Sequence, residues 1–169
     1  GLICMAILLE LLTFACCGVK NARLQVALTD YAAVLESNGL DGLRLSVYYI
    51  DPSILTRFPL TEERLLSFES VQRFEVDNAQ LLQNIELLKT INAEEMTPVS
   101  NASVLDARLC CIFESDRAGQ VLRLTLGGKD NSIFVNGVEV ENFELLRDLL
   151  VAFVSEETMR VLVRYFDKE

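Results

Sequence analysis

A two-residue turn near the end of the chain constrains the fold more than any other feature of the sequence. Asn136-Gly137 separates two short runs in which apolar and polar residues alternate. A type I′ turn requires a positive φ at both central residues, which asparagine tolerates and glycine prefers. The register that follows from this turn pairs residues across a hairpin as Val135–Val138, Ile133–Val140 and Phe134–Glu139. The sequence therefore predicts a β-hairpin with one apolar face.

Further alternating runs predict that this hairpin belongs to a larger antiparallel sheet. Residues 107–113 and 122–126 alternate with period two, and turn residues follow each run at 115–119 and 127–131. Together with the hairpin, these runs predict four consecutive antiparallel strands. Two earlier runs, at residues 43–49 and 73–77, predict additional strands. We expect a sheet of about five or six strands.

Apolar residues at helical spacing predict helices before, between and after these strands. The predicted helices cover residues 20–36, a segment after Thr61, residues 78–91 and two segments after Asn142 and Ser155. Thr61 and Ser155 are suitable N-caps because each precedes two glutamates. An amphipathic helix has to bury its apolar stripe against another layer. The expected fold is therefore α+β, with helices packed on one face of an antiparallel sheet.

The first 19 residues are expected to form a hydrophobic segment outside the domain. Residues 2–17 are apolar except for Glu10 and Thr13. Their Leu, Ile and Phe side chains favour membrane insertion by about 2–5 kcal/mol in total, and the central acid opposes it by about 3 kcal/mol. This balance near zero is more typical of a signal segment than of a permanent membrane span, but a buried N-terminal helix is a third reading. The expected division is a signal or membrane segment at 1–19, a connecting amphipathic helix at 20–39 and the domain at 40–169.

The five cysteines fall into two groups with different expected roles. Cys16 and Cys17 end the apolar segment and loosely resemble the lipobox of bacterial lipoproteins, so both are candidates for lipidation. The resemblance is imperfect because Thr13 and Phe14 stand where leucine is usual. Cys110 and Cys111 are neighbours on a predicted strand, so their side chains point to opposite faces. We expect them to be small core residues, neither a metal site nor part of a disulfide framework.

Composition limits the chemistry that this chain can perform. The absence of histidine excludes Ser-His-Asp and Cys-His nucleophiles and every zinc site with imidazole ligands. The formal net charge of −10 argues against binding to nucleic acid and to anionic lipid headgroups. No cofactor is expected. An enzyme would require a lysine base or a pair of carboxylates, for which the candidates are Asp51, Glu75, Asp77, Glu139 and Glu141.

Three residues form the expected recognition patch. Tyr48 and Tyr49 are adjacent on a strand, so only Tyr49 shares the apolar face. Tyr48 on the other face, with Arg57 in the following loop and Phe134 in the hairpin, predicts an aromatic and basic surface suited to recognition. Helices that covered this face would instead make Tyr48 a packing residue.

Several segments carry a resemblance to a known family. They include Tyr48-Tyr49-x-Asp51-Pro52, the following Thr56 and Pro59-Leu60, and the sequence FVNG-x-EV around the hairpin. Over roughly residues 40–159, the chain is similar to an exported domain of unknown function that occurs behind signal or lipoprotein segments in Clostridia-type Gram-positive bacteria. The resemblance implies an extracytoplasmic location and an α+β fold, and it implies no catalytic or binding residue.

These observations lead to an expected function. We expect a non-catalytic bacterial module, on the outer face of the cytoplasmic membrane or secreted if its leader is cleaved. It would bind a protein, a peptide or a surface ligand of the envelope, and contact the membrane through its N-terminal segment. One alternative is a carboxylate-pair hydrolase acting on cell-wall or sugar substrates, and another is an oligomerisation or structural subunit.

Overall fold

The structure is a computed structural model that describes residues 19, 21–36, 42–127, 132–141 and 143–166. The expected signal or membrane segment lies outside these residues, apart from Val19, and so do Cys16 and Cys17. Within the described ranges, no helix is both long enough and apolar enough to span a bilayer.

Six strands form a single antiparallel sheet. They are β1 (Leu43–Tyr49), β2 (Gln72–Val76), β3 (Ala107–Ser115), β4 (Gly119–Gly127), β5 (Ile133–Val135) and β6 (Val138–Val140). Their order in the sheet is β2-β1-β3-β4-β5-β6, and every neighbouring pair is antiparallel. The predicted α+β class and the predicted run of four consecutive strands are both confirmed.

The hairpin that opens the sequence argument has the predicted register. Val135 pairs with Val138, and the other two pairs follow as expected. Asn136 and Gly137 have φ values of +46° and +79°, as a type I′ turn requires. The Oδ1 atom of Asn136 accepts a 2.8 Å hydrogen bond from the backbone N–H of Arg123, and the Asn136 N–H donates to the Arg123 carbonyl at 2.9 Å. The turn is therefore attached to β4 as well as closed on itself.

The helices correspond to the predicted segments with one interruption. They are α1 (residues 21–36), α2 (Glu62–Leu66), α3 (Asn78–Gln83), α4 (Ile85–Lys89), α5 (Phe143–Phe153) and α6 (Glu156–Leu162), and a 3₁₀ turn follows at Val163–Tyr165. The hydroxyls of Thr61 and Ser155 accept from backbone N–H groups and cap α2 and α6 as predicted.

The predicted continuous helix over residues 78–91 is wrong at Asn84, which separates α3 from α4. The side-chain amide of Asn84 donates to the Gln80 carbonyl at 2.9 Å, and its backbone N–H bonds to Leu81 instead. An asparagine that competes for a helical carbonyl in this way interrupts the regular ladder.

The larger core lies on the first face of the sheet, which carries Leu45, Val47 and Tyr49. Helix α1 belongs to this core because Leu24 and Tyr31 on its inner stripe are fully buried. The ring of Tyr31 lies edge-on to Phe113 with centroids 5.4 Å apart, and its hydroxyl donates to the Leu88 carbonyl at 3.2 Å. Burying side chains of this size stabilises the fold by about 1.5–3 kcal/mol each.

A smaller cluster covers the second face. It consists of Ile50, Leu60, Leu65, Ala107, Cys110 and Ile112, so α2 and the chain before it lie against the opposite side of the sheet from the larger helical layer. The alternation over residues 107–113 predicts Ala107 on the same face as Leu109. A register shift between these two residues turns Ala107 to the second face, as a β-bulge does.

Candidate functional site

The loop that follows β1 carries the most exposed apolar side chains near the predicted recognition residues. We call residues 51–60 the tip loop. Leu55 is 94% exposed and Phe58 is 65% exposed. The guanidinium of Arg57 lies 5.7 Å from the centroid of the Phe58 ring, within range of a cation–π contact. The tip loop therefore presents two apolar side chains and one positive charge to solvent.

A largely buried arginine fixes the tip loop to β3. Arg108 donates to the Ile54 carbonyl at 3.2 Å and to the Thr56 hydroxyl at 2.8 Å. It also pairs with Asp106 at 2.6 Å, and the second carboxylate oxygen of Asp106 accepts from the Leu60 N–H at 2.9 Å. The side chains of Arg108 and Asp106 are only 14% and 22% exposed. Charge-assisted hydrogen bonds that water reaches poorly hold a loop in one conformation.

The beginning of the tip loop is closed by a second set of contacts. Asp51 accepts hydrogen bonds from the N–H and the hydroxyl of Ser53 at 2.8 and 2.6 Å, and these bonds lower the pKa of Asp51. The guanidinium of Arg164 lies 3.7 Å away and favours the same charged form. Tyr165 donates to the Ile50 carbonyl directly before the loop. Asp51 and Thr56 of the resemblance motif therefore act in closing the loop.

Two residues of the predicted patch, Tyr48 and Phe134, are not neighbours in the structure. Tyr48 and Phe134 do share the second face, since the pairing runs Tyr48–Cys110–Thr125–Phe134 across the sheet. Three strand spacings separate them by about 14 Å.

Phe134 is 4% exposed, so the expectation that it contributes to a surface patch is wrong. Tyr48 is half-buried beneath helix α2 and carries the Arg73 guanidinium 5.2 Å from its ring centroid. Tyr48 is therefore a packing residue of the smaller cluster, and Phe134 is buried. Of the three, only Arg57 is exposed, and it lies in the tip loop.

Sequence reasoning missed Leu55 and Phe58, the residues that give the tip loop its apolar character. A signal was present, because large apolar residues between a strand end and a helix cap have no periodic pattern to bury them. Leu60 in the same segment is buried, so this signal does not by itself separate the exposed apolar residues from the buried one.

A buried polar cluster attaches α2 to the second face of the sheet. Glu62 accepts from the Arg123 guanidinium at 2.6 Å and from the Thr125 hydroxyl at 2.5 Å. Burial lowers the pKa of Arg123, but the hydrogen bond and charge of Glu62 outweigh this effect and the net pKa is raised.

Cys110 Sγ lies 3.5 Å from Thr125 Oγ1 in the same cluster, and burial raises the pKa of its thiol to about 11. The thiol therefore stays protonated near neutral pH and is a poor nucleophile. Cys111, on the opposite face, is also buried with a raised pKa, which agrees with the predicted role of both cysteines as core residues.

Four of the five candidate acids of the hydrolase alternative, Asp51 among them, are engaged with their own neighbours. The carboxylate of Asp77 caps α3, Glu75 pairs with Arg73, and Glu139 accepts from Ser103. A general acid needs a raised pKa, but the two described acids with a shifted pKa, Asp51 and Glu63, are both lowered. The described residues also contain no cluster of three or more side chains able to hold a metal ion.

Comparison with known proteins gives no further identification. No family model, no curated protein and no solved structure matches this chain.

Proposed function

We propose that the chain is a non-catalytic binding module that contacts a protein partner through the tip loop. The observation that carries this proposal is the exposure of Leu55 and Phe58 on a loop that Arg108 holds in place. Exposed apolar side chains are unfavourable in water, and ordering the loop that carries them costs conformational entropy. Binding a partner would offset both costs by burying these side chains.

The chemistry of the tip loop suits a particular kind of partner. Burying Leu55 and Phe58 would contribute about 1.5–3 kcal/mol each, and Arg57 adds one of the side chains that dominate binding energies at interfaces. Because the loop is already ordered, little conformational entropy is lost on binding. A complementary partner has an apolar pocket with an acidic group at its rim.

The proposal includes an extracytoplasmic location. The apolar stretch at residues 2–17 supports export or membrane attachment, and the domain would then stand on the outer face of the cytoplasmic membrane or be secreted. Fractionation of cells that express the full-length gene, followed by intact-mass measurement, tests this part. We expect a membrane or extracellular product that is cleaved, retained or lipidated at Cys16 or Cys17, whereas a cytosolic product with an intact N-terminus would contradict it.

Site-specific photo-crosslinking tests the binding surface. Benzoyl-phenylalanine replaces Phe58 in one version of the full chain and Val104, which is 83% exposed, in a matched control. In cells of the source organism, position 58 is expected to yield one discrete adduct with another protein, and Leu55→Asp is expected to abolish it.

Three results would count against the proposal. The first is equal crosslinking from position 104, and the second is an adduct at position 58 that survives Leu55→Asp. The third is an adduct at twice the mass of the chain, which would favour the alternative of a self-associating structural subunit.

A further inference from the structure

We propose that a second site, at the β6 edge of the sheet, binds a small ligand through its primary ammonium group, with Glu139 as the recognition residue. This site is separate from the tip loop, and the proposal does not depend on the proposed function.

The site is a pocket of about 360 Å³ between the β5–β6 hairpin and the segment that precedes β3. Residues 98–102 form one wall, and Gly137, Val138 and Glu139 form the other, with Asn21 of α1 at the margin. The first wall is fixed because the Val99 N–H donates to the Glu139 carbonyl at 2.9 Å. Preformed pockets of this volume are typical of small-ligand sites.

Glu139 is a buried carboxylate without a compensating positive charge among the described residues. It is 8% exposed and accepts one hydrogen bond at each oxygen, from the N–H and from the hydroxyl of Ser103. That hydroxyl lies 3.0 Å from the Ser132 hydroxyl. Two other carboxylates of low exposure, Glu62 and Asp106, are each paired with an arginine at 2.6 Å. Glu139 differs from both, because no cation of the described residues pairs with it.

The chemistry of the pocket selects the class of ligand. A carboxylate has about four lone-pair positions, so Glu139 can accept further hydrogen bonds beyond the two from Ser103. Glu139 is the only charged residue among the described residues that line the pocket, which disfavours anions and favours a cation with several donors. A primary ammonium group provides three donors and one positive charge. Pro98, Val99, Ala102 and Val138 offer apolar surface for the carbon skeleton of the ligand.

Two sources of a primary ammonium group fit a pocket of this size, an amino sugar and the amino terminus of a peptide. Glucosamine and alanyl-alanine serve as probes for these sources, and their N-acetylated forms serve as controls that lack the charge. Each probe is titrated into the isotope-labelled full chain while the backbone amide resonances are recorded. We expect saturable shifts at residues 98–103 and 137–139 with at least one of the two amines and with neither acetylated compound.

Variants of neighbouring residues make the test specific. Glu139→Gln is expected to weaken amine binding at least tenfold, while Glu141→Gln, an exposed acid two residues later, leaves it unchanged. Ala102→Phe is expected to fill the exposed mouth of the pocket and block binding with Glu139 intact, so the test remains valid if Glu139→Gln disturbs the fold. Phe58→Ala is expected to have no effect, which separates this site from the tip loop.

The proposal is overturned if neither amine shifts these resonances at millimolar concentration. It is also overturned if the acetylated probes bind equally well, or if either Glu139→Gln or Ala102→Phe retains full affinity.

Discussion

Replacing Glu62 with alanine removes the acceptor that joins α2 to the second face of the sheet. Arg123 would lose its 2.6 Å partner and Thr125 its 2.5 Å acceptor in the same step. The Glu62 and Arg123 side chains are 12% and 17% exposed, so water replaces the lost carboxylate poorly. The Nε atom of Arg123 is already buried without a hydrogen-bond partner among the described residues. The charge of Arg123 is therefore stabilised mainly by Glu62.

The expected magnitude follows from this burial. Removing one member of a buried ion pair destabilises a protein by about 3–5 kcal/mol. Arg123 would keep a 2.8 Å hydrogen bond to the side-chain carbonyl of Gln120, so we expect the lower end, about 3 kcal/mol. For a domain of this length, that corresponds to a decrease in Tm of roughly 10 °C.

The neighbouring glutamate is a matched control. Glu63 also lies in the first turn of α2, so Glu63→Ala loses a similar interaction with the helix dipole. It is 79% exposed, however, and 3.8 Å from Arg123, so we expect a change below about 0.5 kcal/mol.

The free energy of unfolding of both variants is measured by urea denaturation. Circular dichroism is the suitable signal because the chain has no tryptophan for fluorescence. If the two free energies of unfolding agree to within about 0.5 kcal/mol, the Glu62–Arg123 pair does not hold α2 in place and the reasoning fails. Introducing Arg123→Ala into the Glu62→Ala variant should lower the free energy of unfolding much less than Arg123→Ala does in the original chain. The reason is that the second substitution then removes an unpaired charge.

Three further predictions concern other parts of the fold. Arg108→Ala should lower the free energy of unfolding by about 2–3 kcal/mol and speed hydrogen exchange in the tip loop, whereas the exposed control Arg147→Ala should change neither. The free energy of unfolding should fall as the pH rises from about 9 to about 11, because the pKa of the Cys110 thiol is near 9 in the unfolded chain and about 11 in the folded one. Cys110→Ala should reduce this slope by about 1.4 kcal/mol per pH unit, as measured by urea titrations at each pH. Gly137→Ala should lower the free energy of unfolding by about 1 kcal/mol, because alanine disfavours the positive φ while its added Cβ would meet no atom. Asn136→Ala should lower it more, because the hydrogen bond to β4 is also lost. Equal losses in the two variants would contradict this assignment.

The parts of the fold that follow from neighbouring residues could be predicted from the sequence. The hairpin register, the run of four strands and the caps at Thr61 and Ser155 depend on turn chemistry and on spacing within a few residues. The break at Asn84 was missed because a hydrophobic stripe can continue across a helix interruption. The candidate site was predicted only in part, with Arg57 exposed as expected and Phe134 buried instead.

What the sequence determined by itself is the alternation of apolar residues, because a strand sends successive side chains to opposite faces whatever surrounds it. Only the tertiary structure decided which segment covers each face. Glu62 meets Arg123 across 61 residues, and Glu139 meets Ser103 across 36. Such contacts depend on how distant surfaces pack, and no local pattern encodes them. For this reason the strands were predictable, whereas the tip loop and the Glu139 pocket emerged only from the folded chain.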